Sequence, residues 1–299
     1  MTEKRPYKRG RKRSLLVPIL FVLILAVVLA LLARCTISRL RENREATETV
    51  SETWIEVPDG NGGTFLVQKA ECLEESTLEE ASFSESGDYI YYNGDAYTTL
   101  QGVDVSYYQG DIDWEQVHAA GISFAMIRAG YRGYQDGEIH QDENFYKNVE
   151  GALAAGLEVG VYFYSQAITT AEAIEEANLV LQLVAGYDIT FPIAFDWEHV
   201  TEETARTDDI SSGTLTDCCL AFCDTIQAAG YRTSVYFYRS LGYHEYDMDR
   251  LAGLDFWFSG FGSYPDYYYE ISMWQYSHTA TVPGIPMNTD LNLCFIKKE

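Results

Sequence analysis

The chain has 299 residues, 47% of them hydrophobic and 14% aromatic, which is too apolar for a disordered protein and long enough for one large domain or two small ones. Its formal charge of −24 is unevenly spread: residues 1–44 hold 11 basic and two acidic side chains, and the remaining 255 residues hold 10 and 43. So acidic a body repels phosphate, which excludes nucleic acid as a partner.

In segment 1–14, seven basic residues (Lys4, Arg5, Lys8, Arg9, Arg11, Lys12, Arg13) precede an uncharged run over 15–33. At about 1.5 Å per residue that run spans roughly 28 Å as a helix, close to the ~30 Å hydrocarbon core of a bilayer. The expectation is a single-pass transmembrane signal anchor over 15–33, with the basic 1–14 in the cytoplasm and the rest outside. The cytoplasmic membrane is then a partner through this helix. A cleaved signal peptide and a lipoprotein are the alternatives. Against the first, the run ends in Leu31-Leu32-Ala33-Arg34 and Arg39, Arg41 and Arg44 follow; against the second, Arg34 directly precedes Cys35.

Residues 34–100 read as an extracellular stalk, rich in Glu, Thr, Ser and Gly, as in Glu74-Glu75-Ser76-Thr77-Leu78-Glu79-Glu80. Short alternating stretches at 53–57 and 89–92 suggest strands, the second beside an Asn93-Gly94 turn, and part of the segment is expected to pack on the domain C-terminal to it.

Residues 101–299 show a repeated unit. Helix-like segments end at Ala120-Gly121, Ala155-Gly156, Ala185-Gly186 and Ala229-Gly230, where a glycine closes the helix in the left-handed conformation. Apolar runs of strand length follow each: 124–127, 159–164, 191–195 and 234–238. The intervening helices carry apolar faces, such as Phe145, Val149 and Leu153, or Leu215, Cys219, Phe222 and Ile226. Short strand candidates at 103–105, 256–258, 271–274 and 291–295 bring the total to eight. Apolar strands alternating with helices predict a parallel sheet covered on both faces, here an α/β fold closed as a (β/α) barrel with weak helices in its last third. Its active site belongs at the carboxyl ends of the strands.

The run 191–195 leads directly into Asp196-Trp197-Glu198. Residues at i and i+2 of a strand share a face, so Asp196 and Glu198 project together, and two such carboxyls cannot both ionise without cost. One is pushed towards the protonated form that a general acid needs. Asp104 interrupts another core strand and requires a partner or ligand, and Asp290 occupies a comparable place near the chain end. Each alone could be a solvated strand end or a structural hydrogen bond. Four acids at one mouth suit glycoside hydrolysis. Aromatic residues on or just after the strands (Tyr162, Tyr164, Trp197, Tyr236, Trp257, Trp274, Tyr276) are either sugar contacts or core, and the 264–269 loop is a stacking platform, a lid or the edge of the core.

Taken in order, Gly102-Val103-Asp104-Val105-Ser106-Tyr107-Tyr108-Gln109-Gly110, Ile112-Asp113-Trp114, Phe124-Ala125-Met126-Ile127-Arg128-Ala129-Gly130, Gly160-Val161-Tyr162-Phe163-Tyr164, Phe195-Asp196-Trp197-Glu198, Trp274-Gln275-Tyr276 and Thr289-Asp290-Leu291-Asn292 resemble the family 25 glycoside hydrolases, the N-acetylmuramidases often called Chalaropsis-type lysozymes. The resemblance covers two thirds of the chain. It implies a flattened TIM-like barrel that hydrolyses the β-1,4 bond between N-acetylmuramic acid and N-acetylglucosamine in peptidoglycan glycan strands, without a metal or organic cofactor. By the matched motifs Glu198 is the general acid, Asp196 its partner carboxylate, Asp104 and Asp290 the other two active-site aspartates, and Tyr162, Tyr236, Trp274 and Gln275 lie near the sugar; Tyr164 and Trp197 join them as expected substrate contacts. A catalytically silent wall-binding scaffold and a chitinase-like barrel glycosidase are the rival readings. The six cysteines read as buried thiols rather than a metal site, since Cys218, Cys219 and Cys223 lack both knuckle spacing and a nearby His.

Overall fold

The computed structural model describes residues 53–201 and 204–298. The expected membrane span at 15–33 lies outside them, and among the described residues no helix is long and apolar enough to cross a membrane.

Two short ribbons come first. β1 (Trp54–Pro58) pairs with β2 (Thr64–Gln68), across a turn in which Asp59 Oδ1 accepts from the N–H groups of Asn61 and Gly63 at 2.7 and 2.9 Å. β3 (Phe83–Ser86) pairs antiparallel with β4 (Tyr89–Tyr92). The turn of this ribbon is Gly87-Asp88, not the expected Asn93-Gly94. Gly87 takes a φ of 63°, the left-handed geometry that two-residue hairpins demand, and Gly94 does not.

The remaining elements are β5 (Tyr97–Val105), α1 (Trp114–Ala119), β6 (Phe124–Arg132), β7 (Ile139–Gln141), α2 (Phe145–Ala154), β8 (Glu158–Ser165), α3 (Thr170–Val184), β9 (Ile193–Trp197), α4 (Ser212–Ala228), β10 (Thr233–Tyr238), β11 (Asp255–Ser259), β12 (Met273–Ala280) and β13 (Thr289–Lys297). The four anticipated helix-ending glycines, Gly121, Gly156, Gly186 and Gly230, have φ of 94°, 84°, 92° and 94°. Thr169 caps α3 by accepting from the Glu172 N–H at 3.3 Å, and Glu172 reaches back to the Ile168 N–H at 2.8 Å.

Eight strands close into a barrel in the order β5, β6, β8, β9, β10, β11, β12, β13, and β13 returns to β5. The pairings from β5 round to β12 are parallel. The wholly parallel sheet is corrected in two places: β13 runs antiparallel to both neighbours, and outside the closed barrel the short β7 adds antiparallel to β6. The connection over 281–288 is too short for the crossover that a parallel strand needs, so the chain simply turns back. The weak last third is present as anticipated, with no α-helix after Ala228 among the described residues.

Residues 56–96 belong to the same compact unit as the barrel, Glu56–Glu299. Where helices are missing they cover the sheet. Phe83 stands edge-on to Trp274 and Phe295 at 5.8 and 6.2 Å, and Tyr92 meets Phe295 at 6.1 Å. Backbone bonds join Ser76 N–H to the Tyr268 carbonyl (2.8 Å) and Glu270 N–H to the Glu74 carbonyl (2.9 Å). Inside the barrel, Phe124, Met126, Ala194, Tyr236, Trp257 and Met273 form the buried plug beneath the mouth. Gly102 is required there, because a Cβ would run into the Phe124 ring.

Candidate active site

Strand alternation fixes what reaches the mouth. On β9, Ala194 joins the plug while Phe195 packs outward on Phe222 of α4 at 5.4 Å. The next inward position is Asp196, and Glu198 follows on the same side. On β6, Phe124 and Met126 point in, and so does Arg128. On β5 the inward series runs through Gly102 to Asp104. The antiparallel β13 begins at the mouth where its neighbours end, which sets Asp290 directly opposite Asp104.

The result is a cleft of about 390 Å³ whose lining includes all four acids together with Tyr162, Tyr164, Tyr236 and Gln275. Two expected sugar contacts are elsewhere. Trp197 and Trp274 have no exposed surface; each lies one residue from an inward side chain and so faces outward. Trp197 packs edge-on to His199 at 4.9 Å, and Trp274 donates to the Gly260 carbonyl at 2.7 Å beneath Phe83. Trp257, open between core and site, does both, lying in the plug and lining the cleft floor.

Asp104 is the most heavily bonded of the acids. Its Oδ2 accepts from Asn292 Nδ2 at 2.7 Å and Gln275 Nε2 at 3.0 Å, and its carboxyl also hydrogen-bonds that of Asp290. Trp257 Nε1 donates to Asn292 Oδ1 at 2.8 Å. Tyr236 and Ser259 hydroxyls donate to Gln275 Oε1 at 2.9 and 2.8 Å.

Burial raises all four acids. Asp290 is pushed up to about 9 by burial, then by the charge of Asp104 and the hydrogen bond between them. Glu198 is raised to about 7 by burial and then by Asp104. Asp196 rises well above the usual carboxylate range through burial, Glu198 and Asp104, with Arg128 opposing. Asp104 is raised by burial against the pull of its hydrogen bonds. Near neutrality the cleft therefore holds carboxyls in both protonation states, as acid and base work requires.

Behind Glu198, the buried Gln166 donates to its backbone carbonyl at 3.0 Å and accepts from Thr207 Oγ1 at 2.6 Å, tying both ends of the following loop. Arg128 was not singled out from sequence, although it interrupts an apolar strand just as Asp104 does. Its partner is the buried Asp142, with Nε to Oδ2 at 2.9 Å, and the rings of Tyr107, Tyr108 and Tyr131 surround it at 5.1 to 5.5 Å. Tyr108, Phe261 and His278 also line the cleft; the first two sit between regular strands and helices with no periodicity to betray them, and His278 lies towards the end of β12. Of the cysteines expected to be buried thiols, Cys218, Cys219 and Cys223 are fully buried and free, Cys294 is half-buried, and Cys72 is exposed, on the acidic segment before the barrel. Asp136, Glu138 and His140 bring donor atoms within 4.8 Å of one another at the β6–β7 turn, outside the cleft lining.

The profile of the family described as glycosyl hydrolases family 25 matches residues 103–285. An autolytic lysozyme of Clostridium acetobutylicum is 26% identical over 194 residues, which is 64% of this chain and 55% of that protein. A family 25 glycosyl hydrolase structure from Bacillus anthracis superposes with a TM-score of 0.57 at 22% identity, covering 72% of this chain and 96% of that one. The modular autolysin of Streptococcus pneumoniae, solved with a synthetic peptidoglycan ligand, gives a TM-score of 0.56 at 20% identity, covering 74% of this chain and 57% of the autolysin. The chain thus spans about half the length of that lysozyme and of that autolysin.

Proposed function

Since the chain belongs to glycosyl hydrolases family 25, we propose that it hydrolyses the β-1,4 bond between N-acetylmuramic acid and N-acetylglucosamine in peptidoglycan. The observation that carries this is the convergence of Asp104, Asp196, Glu198 and Asp290 on one cleft at the carboxyl end of the barrel. Glu198, raised to about 7, is the acid: it gives its proton to the glycosidic oxygen as the C1–O bond breaks and its electrons pass to that oxygen. Water completes the reaction, its hydroxyl going to C1 and its proton restoring Glu198. Asp196 is the partner carboxylate on the same strand end. Tyr162, Tyr164 and Tyr236 offer ring surface to the sugars.

The basic segment 1–14 and the uncharged run 15–33 support an anchored enzyme working on the outer face of the cytoplasmic membrane. The test is mass spectrometry of muropeptides released from sacculi by the full-length protein. New reducing-end N-acetylmuramic acid, lost with Glu198→Gln, is expected. Sacculi that are bound without release of reducing ends would instead favour a silent wall-binding scaffold, and cleavage of chitin in preference to sacculi would move the substrate.

A further inference from the structure

Gln275 lies in the cleft, yet both ends of its carboxamide are engaged by protein groups, and the same holds for Asn292. Trp257 Nε1 can only donate, so its bond to Asn292 Oδ1 at 2.8 Å forces Nδ2 towards Asp104. Two hydroxyls converge on Gln275 Oε1 at 2.9 and 2.8 Å, which turns Nε2 to the same Asp104 oxygen. Both donors reach one oxygen, and a protonated oxygen there would face two N–H groups with no acceptor.

We infer that Gln275 and Asn292 are positioning residues that act through Asp104: they hold it as the carboxylate of a proton-sharing pair and assign the proton to Asp290. The catalytic consequence rests on the muramidase reading. A charged Asp104 is what favours the protonated form of Glu198 beyond burial alone, so the two amides sustain the general acid from the far side of the cleft. The other charged or titratable groups lining the cleft with the pair are Asp196 on β9 and Glu198 just after it, Arg128 on β6, Tyr162 and Tyr164 on β8, Tyr236 on β10, His278 on β12 and Tyr108 after β5.

Gln275→Met and Asn292→Leu remove the donors and keep the bulk. In full-length protein acting on sacculi, each is expected to move the alkaline limb of the kcat profile to lower pH by about one unit, with KM changed less than about twofold. Trp257→Phe, which removes the donor that orients Asn292 and also trims the cleft floor, shifts it the same way by less. A raised KM with an unmoved limb would make these residues sugar contacts and overturn the inference, and thermal unfolding separates either result from misfolding. The pairing is also read without turnover, by carbon-13 NMR titration of aspartate carboxyls in the full-length wild type. Asp104 must lose its proton at lower pH than Asp290, and the reverse order overturns the inference. Wild type that cleaves no glycan but titrates in this order would sink the muramidase reading alone.

Discussion

The barrel has two unlike sides. From β6 to β10 the strands are backed by α2, α3 and α4, and the contact is of the ordinary kind, Phe195 against the fully buried Phe222. From β11 through β13 no α-helix follows a strand among the described residues, and the outer face there is covered by residues 56–96 through Phe83, Tyr92 and the backbone bonds at Glu74 and Ser76. The inner face ignores this difference. Each side delivers two acids, Asp196 and Glu198 from the helix-backed side, Asp104 and Asp290 from the other. Strand alternation and direction place the chemistry; what lies behind the strands only has to exclude water.

The largest effect expected from this comparison is that of deleting residues 56–96. Trp274, Phe295 and Tyr97 would lose their cover, and the shortened chain should show no cooperative thermal transition. A deletion with an unchanged melting temperature would reduce the arm to an accessory. Single truncations grade the two sides more finely. Phe222→Ala should lower unfolding free energy by about 3–5 kcal/mol, the range for a buried phenylalanine, and the half-buried Phe83→Ala by roughly 1–2 kcal/mol. Denaturant midpoints decide it. No loss at Phe83 would leave the ribbons as a loosely attached stalk.

The helix-backed side was legible because its signals are local. Closing glycines and a helical period announce each unit, and the apolar strands announce burial on both faces. On the other side the strand at 89–92 and the packing of part of the segment on the barrel were expected, but the residues that make the cover were not, because it lies earlier in the chain and carries no long period of its own: Phe83 looks like an isolated apolar residue in an acidic segment. Asp104 was legible for the reason Arg128 should have been, a charge breaking an apolar strand, and Asp196 and Glu198 were legible because they end one. The period-2 rule was applied to Asp196 and Glu198 but not to their neighbours. Applied consistently, it would have turned Trp197 and Trp274 away from the sugar. The antiparallel β13 followed from a short connection, a cue in plain view that repeat counting overrode.

The two sides also meet in the pH dependence of stability. Asp290 goes from 3.8 to about 9 and Glu198 from 4.5 to about 7 on folding. Between those limits the native state binds protons that the unfolded state has lost, so stability falls as pH rises. The buried Glu176, paired with Arg132 behind the helix-backed side and raised to about 7, adds in the same direction. The melting temperature should therefore be higher near pH 5 than near pH 8. Asp290→Asn, which cannot ionise, should flatten this slope and raise the melting temperature near pH 8. A slope that survives in Asp290→Asn but disappears in Glu176→Gln would locate the pH response behind the helices instead of at the mouth.

The smallest effect is expected at the rim. His199 Nε2 bonds the Glu245 carboxylate at 2.8 Å, joining the loop after β9 to the turn after β10, with side chains 48% and 29% exposed. Solvent screens such a pair, and His199→Ala should cost less than about 1 kcal/mol of stability. The more telling measurement is activity. His199 follows Glu198 in sequence, but the charge that favours the protonated acid comes from Asp104, across the cleft. The alkaline limb of the kcat profile should therefore stay in place in His199→Ala and move in Gln275→Met. If the two variants move it equally, the acid is tuned from its own loop, and the division of the four carboxyls between the two sides matters less than their distance from the rim.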